Sequence, residues 1–342
     1  MFIKRVFQFF FSGLLPCLLL SNPTGASLQS GQAVLSSEEK TLTVVQTSDK
    51  AVLHWEDFSI KAGEKVLFSL PSSNASTLNR VTGDKISKIY GQLKSNGALY
   101  LINPRGIVIG PSGWIDVAGF LVSTYDLSDS DYLLGSELNF TENPLSADIS
   151  HRGFIYAPSG NIAFIAREID NQGVLVSPQG RVSLNAGFEV YLLPEDRLHS
   201  FIRLKKAGRI KTSGTIQALE VEILASGGSA YALAIESGGL IDATGVESDG
   251  GSIVLFSPGK MAVSSHLSAQ KSSERGGEIY LLGSEVFLNR GALLRTPANL
   301  SSGKIFIGGN YLSRYPALDE KTVFYQEAGA VLQTGSLEIL KK

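Results

Sequence analysis

Branched aliphatic residues return at a fixed interval through the second half of the chain. Gly-Gly-Ser-Ile-Val-Leu begins at Gly250, Gly-Gly-Glu-Ile-Tyr-Leu at Gly276 and Ser-Gly-Lys-Ile-Phe-Ile at Ser302, the same interval taken twice. Ile253, Ile279 and Ile305 share one register; Leu255, Leu281 and Ile307 share a second. Another strand is predicted on the same period at Ile241, Leu267 and Leu293, with Val331 delayed as its next copy by an insertion at 311–325. Upstream, residues 161–165 and 181–184 repeat the glycine-led pattern at a slightly shorter interval. Short strands recurring every ~20 to 30 residues cannot bury their apolar positions alone, so successive coils must stack. The pattern predicts an all-β chain, a right-handed parallel β-helix (β-solenoid) with an irregular N-terminal cap and short extra-helical strands. A propeller needs ~40 residues per blade, and a sandwich keeps no fixed register.

The first half carries β-like runs at 41–47, 51–55, 58–60 and 66–70, interrupted by the turn Lys61-Ala-Gly-Glu64 and a Ser/Asn-rich loop at 71–77. Residues 86–93 are expected to form one short helical turn at most. Strands at 99–102 and 107–109 flank Asn103-Pro104-Arg105-Gly106, whose residue types suit a type I turn. The same x-Pro-x-Gly order returns at Gly110-Pro111-Ser112-Gly113, Ala157-Pro158-Ser159-Gly160 and Ser177-Pro178-Gln179-Gly180, as if one corner were being turned repeatedly. Strands follow at 114–117 and 119–123. Residues 125–144, with Asp126, Asp129, Asp131 and Glu137, are the least regular part and predict an excursion from the body.

Composition agrees with that reading and narrows the function classes. Of 342 residues, 43% are hydrophobic, only 18% are charged and 36 are glycine, which fits many turns and two-sided packing. A formal net charge of −2 supplies no basic field for nucleic acid. Cys17 is the single cysteine, so the chain can build neither a disulfide framework nor a thiolate metal cluster. It lies in an apolar run at 6–20, preceded by Lys4 and Arg5 and followed by Pro23-Thr24-Gly25-Ala26, which together predict a signal peptide over residues 1–26. The run is shorter than the ~20 residues a spanning helix needs, so no stable membrane insertion is expected.

Three ordered segments carry a family resemblance: Asn79-Arg80-Val81-Thr82-Gly83, then Ile86-Ser-Lys-Ile-Tyr-Gly91-Gln-Leu, then Ser95-Asn96-Gly97-Ala-Leu-Tyr-Leu-Ile-Asn103-Pro104-Arg105-Gly106-Ile107. With Trp55-Glu-Asp-Phe58, Ala62-Gly-Glu-Lys-Val66 and Gly119-Phe-Leu-Val-Ser-Thr-Tyr-Asp-Leu127, the stretch resembles the secretion domain of the filamentous haemagglutinin family, exoproteins of bacterial two-partner secretion. The family marker is Asn-Pro-x-Gly followed by Ile or Val. Most members carry Asn where Arg105 stands; the site faces outward in a type I turn and tolerates most residues. A second marker, Asn-Pro-Asn-Leu, is absent here. Two domains are expected. The first, 27–145, is the secretion (haemagglutination activity) domain with the first coils. The second, 146–342, continues the helix with further coils of ~20 to 26 residues. The resemblance implies a secreted or cell-surface exoprotein, acting as an adhesin or interaction protein, that passes the periplasm and outer membrane. Its implied partners are an outer-membrane β-barrel transporter with periplasmic domains and, beyond that, a host-cell or glycan receptor. No cofactor is implied.

A β-helix also carries polysaccharide lyases and glycosidases, so a carbohydrate-active enzyme is the alternative. Such sites need paired carboxylates ~5–9.5 Å apart, or an acidic calcium cluster. Asp129-Ser130-Asp131 is the one Asp-x-Asp and is expected to be a solvated turn. His54, His151, His199 and His266 lack metal-ligand spacing. Arg203-Leu-Lys-Lys206 with Arg209 and Lys211 forms a short basic patch, expected to be a solvated face.

Overall fold

Side chains on a strand point alternately in and out, so stacked strands in parallel register build continuous inner and outer columns. Three such stacks make up the chain. The computed structural model describes residues 23–135, 137–142, 144–193, 199–203, 208–227, 232–245, 251–301, 303–308, 322–334 and 336–339. Face A runs from Lys65–Ser69 through Gln92–Ser95, Trp114–Asp116 and Phe154–Tyr156 to Leu293–Arg295 and Val331–Gln333. Face B runs from Ser76–Val81 through Ala98–Ile102, Gly119–Ser123 and Ile162–Ile165 to Lys304–Ile307. Face C starts at Ser87–Ile89 and continues through Ile107–Ile109, Ile149–His151 and Glu168–Asn171 to Val323–Gln326. Stacked partners such as Ile149 and Ile169, or Ile235 and Met261, set the length of an uninterrupted coil. The chain is a parallel β-helix.

Its interior is one apolar core. Val66, Leu93, Ile115, Ile155, Leu175, Ile216, Ile241, Leu267 and Leu294 form the inner column of face A, all fully or nearly fully buried. Each such side chain contributes roughly 1.5–3 kcal/mol relative to exposure. The registers Ile253–Ile279–Ile305 and Leu255–Leu281–Ile307 hold as read from sequence. The third column slips by one position: Leu267 stacks on Leu294, while Leu293 sits outside against His266. The turn at Arg290-Gly291, with Gly291 at φ 88°, lengthens that coil. Val331 does pair with Leu293.

Other expectations need correction. Residues 86–93 form no helical turn; Ser87–Ile89 and Gln92–Ser95 are strands whose inward Ile89 and Leu93 are fixed by stacking rather than local propensity. Ser177-Pro178-Gln179-Gly180 is a bulge inside one long bent strand, Val174–Ala186, with the register shifting between Ser177 and Arg181. The N-terminal cap is two antiparallel strands, one of them with a register shift between Leu28 and Ser30. β1 (Ser27–Ser30) and β2 (Ala33–Glu38) run antiparallel to β4 (Lys50–Trp55) and β3 (Thr41–Gln46), closing the first edges of faces B and A. Residues 1–22 of the leader, 204–207 of the basic patch and 309–321 in the region of the late insertion lie outside the described residues.

The irregular stretch after Tyr125 has a defined structure. α1 (Asp129–Leu134) is capped by Ser128, whose Oγ accepts from Asp131 N, and ends at Gly135 in the left-handed region. Leu138–Thr141 then pairs with Glu189–Leu193 and through it with His199–Arg203, a three-stranded antiparallel sheet outside the coils. This layer covers the outer surface of face B, where Val52, Leu78, Leu121, Tyr125, Leu127, Tyr132, Phe140, Val190 and Leu192 form a second buried apolar cluster. Face B is thus buried on both sides there, which is why strands such as Ala98–Ile102 and Ile162–Ile165 read as continuous apolar runs.

Candidate functional site

The Asn103–Gly106 turn closes as its residue types dictate. Gly106 N donates to Asn103 O at 3.1 Å, and Gly106 sits at φ 115°, where a side chain would be strained. Asn103 is fully buried. Its Oδ1 accepts from Arg105 N at 2.9 Å, and its Nδ2 donates to Lys85 O and Ser87 Oγ, both at 2.9 Å. Ser87 N donates to Gly106 O, tying the turn to the preceding coil; on the following one, Ala147 N donates to Pro104 O and Asp148 O accepts from Ile107 N. The turn is therefore bonded to the coils above and below, with Ile107 buried in the core and Arg105 exposed.

The other motif residues also join coils to one another. Asn79 accepts from Trp55 Nε1 at 3.0 Å, fixing the largest fully buried side chain. Thr82 N and Oγ1 both donate to Trp55 O, and Val81 is buried. Asn96 mimics a backbone partner for Leu70, accepting from its N at 2.7 Å and donating to its O at 2.8 Å. Gly83, Gly91 and Gly97 allow close backbone passage: a Cβ there would lie 2.0, 2.4 and 2.5 Å from a carbonyl oxygen of Glu56, Lys61 and Ala75 respectively.

Arg80 does something different. Its guanidinium reaches outward from face B and donates to Asp126, to the Leu127 carbonyl and, at 2.7 Å, to Asp129 Oδ1 at the start of α1. Lys50 holds the other end of the helix, donating to Tyr132 O at 2.8 Å and Leu133 O at 2.9 Å; burial lowers its pKa. Tyr132 Oη and Ser76 Oγ share a bond at 2.7 Å, and Tyr125 Oη donates to Gly187 O at 2.6 Å. Burial pushes both tyrosines far above their usual value, with Glu142 adding to the rise at Tyr125. The motif arginine is thus a clamp on the outer layer. Asp126 and Asp129 are its partners, so the first residue of the Asp-x-Asp expected to be a solvated turn joins an ion-pair cluster at the start of a helix. Sequence reasoning missed Lys50 and read Asp126 and Asp129 only as members of an irregular excursion; the available signal was Arg80, the single basic residue of Ser76–Val81, with an acidic run 46 to 49 residues away.

Among the described residues no group of three or more His, Cys, Asp or Glu side chains is placed to hold a metal ion. Asp148, Glu168 and Asp170 line the outer surface of face C on neighbouring coils, but Arg209 and Lys211 lie beside them and Glu236 follows. This is a ladder of compensating charge. The Asp148 carboxyl is raised by burial and by Glu168. His151 is interior: its Nδ1 bonds Asn171 Oδ1 at 2.7 Å, Asn171 Nδ2 donates to Thr212 Oγ1, and burial lowers the imidazole to about 4. His54 lies 3.3 Å from Asp129, and His266 is exposed on face A. Arg181, 2% exposed, pairs with Glu220 and lies 3.8 Å from Glu222. No helix among the described residues is long and apolar enough to cross a membrane.

Comparison with known proteins gives these observations a context. A family model described as the TPS secretion domain matches residues 21–266. A heme/hemopexin-binding protein of Haemophilus influenzae strain Rd is 27% identical over 214 residues, 60% of this chain and 24% of its own length. Another of the same name from Haemophilus influenzae is 26% identical over 331 residues, 86% of this chain and 34% of its own. The chain therefore spans a quarter to a third of the length of these relatives. The crystal structure of the HMW1 secretion domain from Haemophilus influenzae superposes with a TM-score of 0.72 and 25% identity, covering 94% of this chain and 84% of that one.

Proposed function

The chain belongs to the TPS secretion domain family of two-partner secreted exoproteins, and from that premise we propose that it is exported across the outer membrane by a β-barrel transporter with periplasmic domains. Outside, it acts as a surface-associated or released interaction protein of the adhesin type. The observation that carries this reading is the ordered set from Asn79 to Ile107, in which Asn79, Asn96 and Asn103 each bond a neighbouring coil. Coils joined this way fold by stacking as the chain emerges, and each added coil buries further apolar surface, which disfavours backward sliding. The absence of cysteine after Cys17 suits passage through a narrow pore in extended form. Heme or hemopexin binding belongs to the names of relatives much longer than the matched region and is not assigned to this chain.

The test is co-expression with a two-partner barrel transporter, measuring the chain in medium and surface fractions. Transporter-dependent appearance there, reduced in Asn103→Ala and Pro104→Ala, supports the reading. Retention in the periplasm with a functional transporter overturns it.

A further inference from the structure

Resting on the reading of the chain as an interaction protein, we propose that the outer surface of face A binds a sugar chain carrying carboxylate groups. Residues flanking each inward position of a strand point outward, so parallel register stacks them in two outer columns. One column runs Gln92, Trp114, Phe154, Val174, Thr215 and Leu240. The other runs Lys94, Asp116, Tyr156, Val176, Gln217 and Asp242. The rings of Trp114 and Phe154 stack with centroids 4.5 Å apart and planes 28° apart, and Tyr156 stands beside them, making an aromatic ledge. Trp114 is 46% exposed, a large ring for a monomer surface to leave uncovered. Its indole N–H and the Tyr156 hydroxyl have no partner among the described residues.

Beyond the ledge the columns border a groove of about 600 Å³ at the corner between faces C and A, walled by Gln172, Ser213, Thr215, Ser264 and His266. Gly173, Gly214 and Gly239 line it as well. A Cβ on Gly214 would lie 2.0 Å from Gly173 O, and one on Gly239 2.2 Å from Gly214 O, so these corners carry no side chain to fill the space. From Trp114 to His266 the surface spans five strand spacings, about 24 Å. Flat rings next to short hydrogen-bonding side chains match an amphiphilic ring: the C–H face of a pyranose packs on an aromatic ring while its hydroxyls bond at the edge. Polar groups recurring at the strand spacing suit a ligand that itself repeats. Charge selects an acidic one. Asp116 is tied to Lys94 at 3.4 Å, Asp170 accepts from Gln172 at 2.7 Å, and Asp242, further along, accepts from Thr244 at 3.3 Å. Arg152, exposed two residues before Phe154, has no side-chain partner among the described residues and is left as the unpaired cation at the ledge. Its guanidinium fork is suited to a carboxylate.

The experiment titrates the purified full chain with oligosaccharides of polygalacturonate, alginate and hyaluronan, and with the same oligosaccharides after reduction of their carboxyl groups to alcohols. It compares wild type with Trp114→Ala/Phe154→Ala and with Arg152→Glu. The control is Tyr325→Ala, which removes an exposed ring from another stacked pair, Phe287 and Tyr325, on face C. Thermal unfolding verifies that each variant folds. Expected is binding of at least one carboxylate-bearing oligosaccharide, weakened about tenfold or more in both variants and unchanged in the control. Reduction of the carboxyls should weaken wild-type binding and erase the difference between wild type and Arg152→Glu. No binding of any of the three, or binding undiminished in both variants, overturns the proposal and leaves export standing, because export is read in the medium. Equal binding of the carboxylate and reduced forms overturns it too. Self-association lost in Trp114→Ala/Phe154→Ala, without sugar binding, assigns the ledge to a second copy and overturns the proposal.

Discussion

Replacing Arg80 by alanine should detach the outer layer without disturbing the coils. Arg80 is only 14% exposed, so its charge is largely desolvated, whereas Asp126 and Asp129 are 51% and 36% exposed and rehydrate when released. The exposed Asp126 pair is therefore worth ~0–1 kcal/mol. The bonds to Asp129 Oδ1 and the Leu127 carbonyl are charge-assisted and more enclosed, ~1 kcal/mol each after solvent screening. Their sum is a loss of ~2–3 kcal/mol, concentrated on residues 126–145. Because the outer sheet packs on the coils through a surface separate from the inner core, the loss should appear as a low-denaturant transition ahead of the main one. Limited proteolysis locates it: cuts between α1 and Leu138–Thr141 should appear in Arg80→Ala and be absent from the parent. Lysine at 80 should restore little, since one ammonium cannot satisfy two carboxylates and a carbonyl in the fork geometry. A double-mutant cycle with Asp129→Asn should give a coupling of about 1 kcal/mol. Unfolding superimposable on wild type, with no new cleavage, would refute the clamp.

Asn103→Ala should cost ~2–3 kcal/mol, since it removes three bonds of a fully buried side chain, and Asn103→Asp should be as damaging because a carboxylate cannot donate to Lys85 O; denaturant midpoints check both. His151 lies at about 4 when folded against 6.5 as a free imidazole, so the unfolded chain takes up its proton first. Stability should be full above pH ~6.5 and fall by roughly 3 kcal/mol as pH drops towards 4, then level off; His151→Leu should abolish that slope. Gly83→Ala places a Cβ 2.0 Å from Glu56 O, a backbone atom that cannot step aside, and should cost ~2 kcal/mol or more by thermal unfolding. Lys50→Met should loosen α1 with a smaller effect than Arg80→Ala, read by the same proteolysis, because it removes two bonds to carbonyls at the helix end.

What was legible in the chain follows from where each pattern finds its partners. Ile253, Ile279 and Ile305 repeat because every coil meets the same neighbours, so the period alone revealed the parallel stack. The Asn103–Gly106 corner was readable because turn chemistry is local. Leu293 misled because a single extra position at Gly291 swaps inward for outward, and Leu293-Leu294 offers an apolar residue to either side. Residues 86–93 misled for the opposite reason: very short strands carry too little alternation to show themselves before stacking. The excursion looked irregular because its partners are remote, Arg80 behind it and Glu189–Leu193 well ahead. Its acidic residues consequently read as solvated.

In the proposed export route this chain leaves the cell through a barrel partner, with its first coils as the address. The decisive measurement quantifies the chain in culture medium with and without a two-partner barrel transporter, for wild type and Asn103→Ala side by side. Wild-type export is expected only with the transporter, and markedly less export of the variant. Equal amounts outside the cell in the transporter's absence, or unaltered export of a variant shown to be destabilised, would contradict it.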